Sequence, residues 1–299
     1  MTRLSKASVR LGLAGLALLS GLAGYFGQAI RAGEGEIDPK PRLSYEFDAL
    51  RRFGLAVTDD ANKKHLLTMS PNGNTNSTVV RIDGKLYEFG TKEGKFLDPK
   101  SGLGDNKKGE KCVWAVGDIQ VTQALEIVPS LQPVKGKRLL DTALITWTFK
   151  NTGEKPHGVG LRCVIDTLIE DNDGNPFVVA GKEKELMKTS ADFKGPEVPK
   201  FVKAIQEENL EKPGYTAYFS FKVGGGIVPP DRVLLTNWPG LSKEWEAPVK
   251  NLMGDSSVVL YWNPAPPLEA GASRQIGFAY GGGEVARGGE GAEKKESKD

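Results

Sequence analysis

Histidine and cysteine are scarce in this chain of 299 residues, with only His65, His157, Cys112 and Cys163 present. That scarcity excludes much familiar chemistry. There is no His-Glu-x-x-His zinc helix, no Cys-x-x-Cys pair, no Gly-x-Ser-x-Gly elbow and no glycine loop of the phosphate-binding kind. No cofactor motif is left, so no cofactor is expected. Excess charge is lacking too. The chain has 40 basic and 38 acidic residues, and four of the basic ones, Arg3, Lys6, Arg10 and Arg31, fall in residues 1–32, where there is no acid. The remainder therefore carries 36 basic against 38 acidic residues, or −2. A nucleic-acid surface needs a strong basic excess, so no nucleic-acid partner is expected.

Long apolar runs are absent except at the start, where Arg3, Lys6 and Arg10 precede an apolar run from Leu11 through Ala23 that continues to Tyr25 and Phe26. A basic segment followed by an apolar one is an export signal, and Gly27-Gln28-Ala29 offers small residues to a signal peptidase. The run of about 16 residues is short for a bilayer that needs roughly 20, although tilt and thinning absorb such a difference. Residues 1–32 are thus expected to be a cleaved signal peptide or a retained anchor helix. Either way the rest crosses the cytoplasmic membrane and is periplasmic, membrane-anchored or secreted. The membrane is a partner only if the segment stays.

Past Pro39 and Pro41 the pattern has period two. Ala143, Ile145, Trp147 and Phe149 alternate with Thr142, Leu144, Thr146 and Thr148, and similar alternation runs through 215–223 and 275–280. Period two marks half-buried strands. Further strands are expected at 54–58, 66–69, 78–82, 86–89, 113–128, 159–169, 176–180, 231–236 and 256–262. Asp83-Gly84 reads as a hairpin turn. One short helix is expected from Pro199, carrying Phe201, Val202, Ile205 and Leu210 and stopping at Pro213-Gly214. The expected fold is all-β: one large sandwich of the supersandwich kind over 40–282, with that single helix. The glycine-rich, charged stretch 283–299 cannot form a core and reads as a disordered tail.

A resemblance rests on particular segments. Leu140-Asp141-Thr142, Lys150-Asn151-Thr152-Gly153, His157 to Arg162, Ile165 to Phe177, Asp255 to Trp262 and Arg274 to Gly281 resemble a family of exported bacterial β-sandwich proteins frequent in planctomycete-type genomes. Cys163 and Glu170 depart from its pattern, which has an apolar and a small residue there. The resemblance implies a sandwich and brings no activity with it. A looser similarity, to galactose-mutarotase-like sandwiches, implies a carbohydrate link by analogy.

The candidate site residues each have two readings. His157 follows a turn and reads as a loop side chain bonded to backbone, or as a general base acting with Asp166 or Glu126. Asp171, Asp173 and Asn175 crowd around Gly174, with Asp166 upstream. They read as a turn, because no bidentate Glu follows, with calcium as the alternative and no metal expected. Arg162 and Asp166 share one strand face and read as a cross-strand ion pair, or as a grip on a substrate carboxylate. Trp147 and Trp262 lie within strand patterns and read as core. Trp238 and Trp245 flank a loop and are candidates for loop packing or for a binding surface. Cys112 and Cys163, both inward on strands, read as one bridge in an oxidising compartment or as two free core thiols, and unpaired thiols are expected. Two functions fit. One is a non-enzymatic cell-envelope module with an envelope-protein partner. The other is a carbohydrate-binding or carbohydrate-active protein of mutarotase-like architecture.

Overall fold

The computed structural model describes residues 35–104, 106–250, 254–264 and 266–285. The expected signal or anchor over 1–32 and the tail beyond 285 lie outside the described residues. Two large antiparallel sheets face each other. The larger has eight strands in the order Phe177–Val179, Phe201–Ile205, Thr216–Ser220, Ser273–Gly281, Thr142–Asn151, Ile119–Val128, Gly109–Val116 and Lys95–Gly102. The smaller has six, in the order Ala191–Lys194, Arg232–Asn237, Ser256–Trp262, Val159–Asp166, Ser77–Ile82 and Lys85–Glu88. A three-stranded sheet (Leu43–Phe47, Phe53–Thr58, Lys64–Leu66) and the parallel pair Glu36–Pro41 with Lys137–Leu140 complete the β-structure. This is the expected all-β sandwich.

The period-two pattern explains the layers. Ala143, Ile145, Trp147 and Phe149 point into the main core, while Leu144 on the opposite face packs with Val128, Ala279 and Val285. Trp147 and Phe278 of the larger sheet meet Trp262 of the smaller, with ring centroids 6.0 Å (Trp147 to Trp262) and 6.5 Å (Trp262 to Phe278) apart. Both tryptophans are core, as their strand positions imply. In Val159–Asp166, Leu161, Cys163 and Ile165 face this core, whereas Val164 faces outward into a second cluster with Leu234, Ala247, Val259 and Tyr261. Both faces of the smaller sheet are therefore covered near its centre.

Asp83 and Gly84 take φ of 48° and 85° and close a hairpin in which Ile82 pairs with Lys85, as expected of Asp-Gly. The stretch 113–128 is two strands, broken at Gly117 (φ 55°) so that Val116 pairs with Ile119. The expected helix from Pro199 does not form. Phe201–Ile205 is a strand, laddered to Thr216–Ser220 on one side and Phe177–Val179 on the other. Val202 and Ala204 are fully buried on its core face, and Pro213-Gly214 lies in the connection to its partner strand. Apolar residues at 201, 202 and 205 fit either period over so short a window, and tertiary pairing decides. The helical turn among the described residues is a 3₁₀ turn at Gly195–Glu197. At the other end, Gly283 to Val285 pack on the sandwich: the Val285 amide donates to Ser220 Oγ at 2.9 Å, and Val285 is buried. Composition alone assigns these three residues to the tail.

Candidate functional site

The outer face of the six-stranded sheet carries most of the candidate residues. Arg162, only 1% exposed, donates to the carbonyls of Ser242 and Glu244 and to Ser77 Oγ. Among the described residues neither it nor Asp166 makes an ion pair, so the expected cross-strand pair is not formed. The two stand at either end of a four-residue step, about 13 Å at strand rise. Arg162 instead ties down the loop after Asn237. Burial lowers its pKa, opposed by Tyr261 and nearby acids.

That loop holds Trp238 and Trp245, both half-buried against the outer cluster of Val164, Leu234, Val259 and Tyr261. The indole N–H of Trp238 donates to Thr75 O at 2.9 Å, which makes Trp238 an anchor. Trp245 meets Tyr261 edge-on at 5.8 Å, and the Arg81 guanidinium stands 5.5 Å over its ring. Beside Trp245 lies an open cleft of about 470 Å³, lined by Lys194, Asp231, Arg232, Glu246, Tyr261 and Asn263. Arg232 is held as a fork: Nε and Nη2 donate to the Asp192 carboxylate at 2.6 and 3.1 Å, Nη1 to Glu246 at 2.6 Å, and its carbon lies 4.7 Å over the Tyr261 ring. Burial works against this charge, yet the bonds to Asp192 and Glu246 raise its pKa overall. A half-buried indole beside fixed donors and acceptors suits a polyhydroxylated ligand.

His157 has partners that its loop context does not announce. Nδ1 lies 2.6 Å from Asp83 Oδ2 and Nε2 3.7 Å from Asp118 Oδ2, while the Asp83 carboxylate also accepts from the Gly158 amide at 2.8 Å. The side chain therefore bonds carboxylates rather than backbone. These bonds clip two hairpins together, and the hydrogen bond from His157 holds the Asp83 carboxyl below its usual range. A cleft of about 250 Å³ lies beside it, lined also by Lys85 and Tyr87. Nε2 is shielded from solvent, so neither ring nitrogen is turned out to meet a ligand. Asp166 does not converge on His157, because the strand Val159–Asp166 separates them by roughly 23 Å. Glu126 has Lys107 at 3.6 Å.

Of the run Asp171 to Asn175, only Asp173 meets other acids. Ile169 and Asn172 close a tight turn, with Glu170 at φ 61°. Asp171 is exposed and accepts from Gln206 at 3.2 Å. Asn175 is buried, its Oδ1 accepting from the Thr167 hydroxyl at 2.9 Å. Turn chemistry thus accounts for Asp171 and Asn175. Asp173 is drawn inward because its carbonyl accepts from the Ser256 amide at 2.7 Å, which brings it beside Asp255 and the end of the strand at Asp166. One oxygen from each of these three carboxylates lies within 4.8 Å of the others, an arrangement of the kind that holds a metal ion. Burial pushes the Asp166 carboxyl up to about 7, with Asp255 and Asp173 adding to the rise and Thr75 opposing it. Asp173 and Asp255 are raised as well, by burial first. Asp255 was not among the candidates from sequence. Its only signal is its place before the strand Ser256–Trp262, which the ladder Asp166 to Ser257 turns into proximity.

No family model and no curated protein matches the chain. Solved structures similar to it include a polysaccharide lyase, 13% identical with TM-score 0.40, and a galactose mutarotase-like protein from Clostridium acetobutylicum, 8% identical with TM-score 0.39. The first similarity covers 84% of this chain and 33% of the lyase, and the second covers 82% and 98%. The chain thus spans about a third of the lyase it resembles.

Proposed function

We propose that the chain is an exported, non-enzymatic β-sandwich protein of the cell envelope that binds carbohydrate in the cleft beside Trp245. The carrying observation is that cleft: the half-buried Trp245 supplies ring surface, and Arg232, Asp231, Glu246 and Asn263 supply oriented polar groups. At about 470 Å³ it falls within the usual range of ligand sites. The two histidines favour binding over catalysis, since His157 is clipped between Asp83 and Asp118 while His65 contacts Asp59 and Glu170 and stacks on Tyr215 at 4.1 Å. Export rests on Arg3, Lys6 and Arg10 ahead of the apolar run.

Glycan-array screening of the exported chain, followed by calorimetry on the best ligand, tests the reading. Trp245→Ala is expected to weaken binding about tenfold or more, roughly the loss of one aromatic contact, with the folded spectrum unchanged. Absence of any glycan ligand, turnover of the bound glycan, or binding indifferent to Trp245→Ala would each refute it. A reporter active only after export, fused to residues 1–40, tests the address.

A further inference from the structure

We propose that Asp166, Asp173 and Asp255 form a calcium site that fastens the 166–175 connection to the start of the strand Ser256–Trp262. The proximity of three acids is joined by a second observation. Asp166 is 2% exposed, and its Oδ1 has no hydrogen-bond donor. Asp173 Oδ1 and Thr75 Oγ1 are likewise buried with no partner at hydrogen-bond distance, and the Thr75 hydroxyl is the nearby donor that opposes the rise of the Asp166 carboxyl. Among the described residues no lysine, arginine or histidine lies within ion-pair distance of the three carboxylates. Lys250 acts on Asp255 only at longer range. A buried carboxylate oxygen with no donor at bond distance, in a group with no counter-ion, is costly, and a divalent cation would offset that cost.

The donor set selects the ion. All the candidate ligands are oxygens, while both histidines and both cysteines are elsewhere, which disfavours zinc and copper. The carboxylates come from a strand end, a connecting loop and the residue before a second strand. Such an irregular set suits calcium, which tolerates variable geometry and fills its remaining positions with carbonyls and water, better than magnesium, which demands a near-ideal octahedron. The bidentate Glu missing from Asp171 to Asn175 is not needed, because the third carboxylate arrives through the fold.

The test uses the full exported chain stripped with a chelator and titrated with calcium near neutral pH, read by calorimetry and thermal unfolding. Terbium luminescence excited through Trp238, whose amide donates to Asp255 O at 2.7 Å, supplies an independent signal. One calcium per chain is expected, with Kd of about 1 mM or tighter, as in extracellular modules. Saturation near 100 Kd should raise Tm by about 5 °C, and magnesium should do so by less than half as much. Asp173→Asn and Asp255→Asn, at the less buried positions, should each weaken binding about tenfold or more, while Asp171→Asn leaves it unchanged. No calorimetric heat and no Tm shift up to about 10 mM calcium would overturn the proposal. So would binding that survives both Asp173→Asn and Asp255→Asn. A pair of carboxyls sharing a proton would also give a silent titration, and that outcome counts against calcium. The sugar cleft plays no part in this measurement, so either idea can fail alone.

Discussion

At the scale of single residues, burial of titratable groups makes the sharpest predictions. Asp141, 5% exposed, accepts from the hydroxyls of Thr142 and Ser130 at 3.0 and 3.4 Å, but burial dominates and pushes its carboxyl up to about 6. The folded state therefore holds this proton to higher pH than the unfolded chain. Its stabilising effect is complete below the unfolded carboxyl pKa near 4 and is lost as pH rises through about 6. Asp141→Asn should flatten that slope. The stability difference between wild type and variant, from urea unfolding, is expected to change by on the order of 2 kcal/mol between pH 4 and 7. Equal pH profiles would contradict this assignment. The cysteines give a second prediction. Neither cysteine forms a disulfide: Cys163 Sγ accepts from the Thr78 hydroxyl, with burial raising its thiol to about 12, while the Cys112 thiol is raised by burial and donates to Gln123 Oε1 at 3.7 Å. Two thiols should titrate in denaturant without reductant and almost none in the native protein, because the thiolate is the reactive form.

At the scale of elements, pairing overrode local pattern where the window was short. The strand Phe201–Ile205 shows this, since four apolar residues in five satisfy a helical stripe as well as a half-buried strand. Strands longer than that, such as Thr142–Asn151, were legible because alternation persisted through Phe149. The loop after Asn237 was legible as a loop but not as a cover, and what holds it is Arg162, a residue 80 positions away from Ser242. Arg162→Ala strips the donor from two loop carbonyls and leaves a void under the loop. It should cost about 2–4 kcal/mol and raise protease sensitivity between 238 and 250 before global unfolding. Unchanged proteolysis there would show that the outer cluster alone holds the loop.

At the scale of the whole molecule, stability concentrates where the two sheets meet. Trp147 lies 6.2 Å from Phe278 within its own sheet and 6.0 Å from Trp262 across the core. Trp147→Ala removes ring contacts to both sheets, and a loss of about 3–5 kcal/mol is expected in denaturant unfolding. A loss below about 1 kcal/mol would mean that the sheets close over the gap.

The all-β class and the core tryptophans were determined by sequence alone, because composition and periodicity are local properties that survive without knowing which strands are neighbours. The pairing of His157 with Asp83, the tie from Arg162 to the 242–244 carbonyls and the meeting of Asp166, Asp173 and Asp255 were decided only by tertiary structure. Each joins residues separated by 74 or more positions on at least one side, as from Asp83 to His157 or from Asp173 to Asp255. Register between distant strands sets those distances, and a β-strand's own sequence states which way a side chain faces but not what stands opposite it.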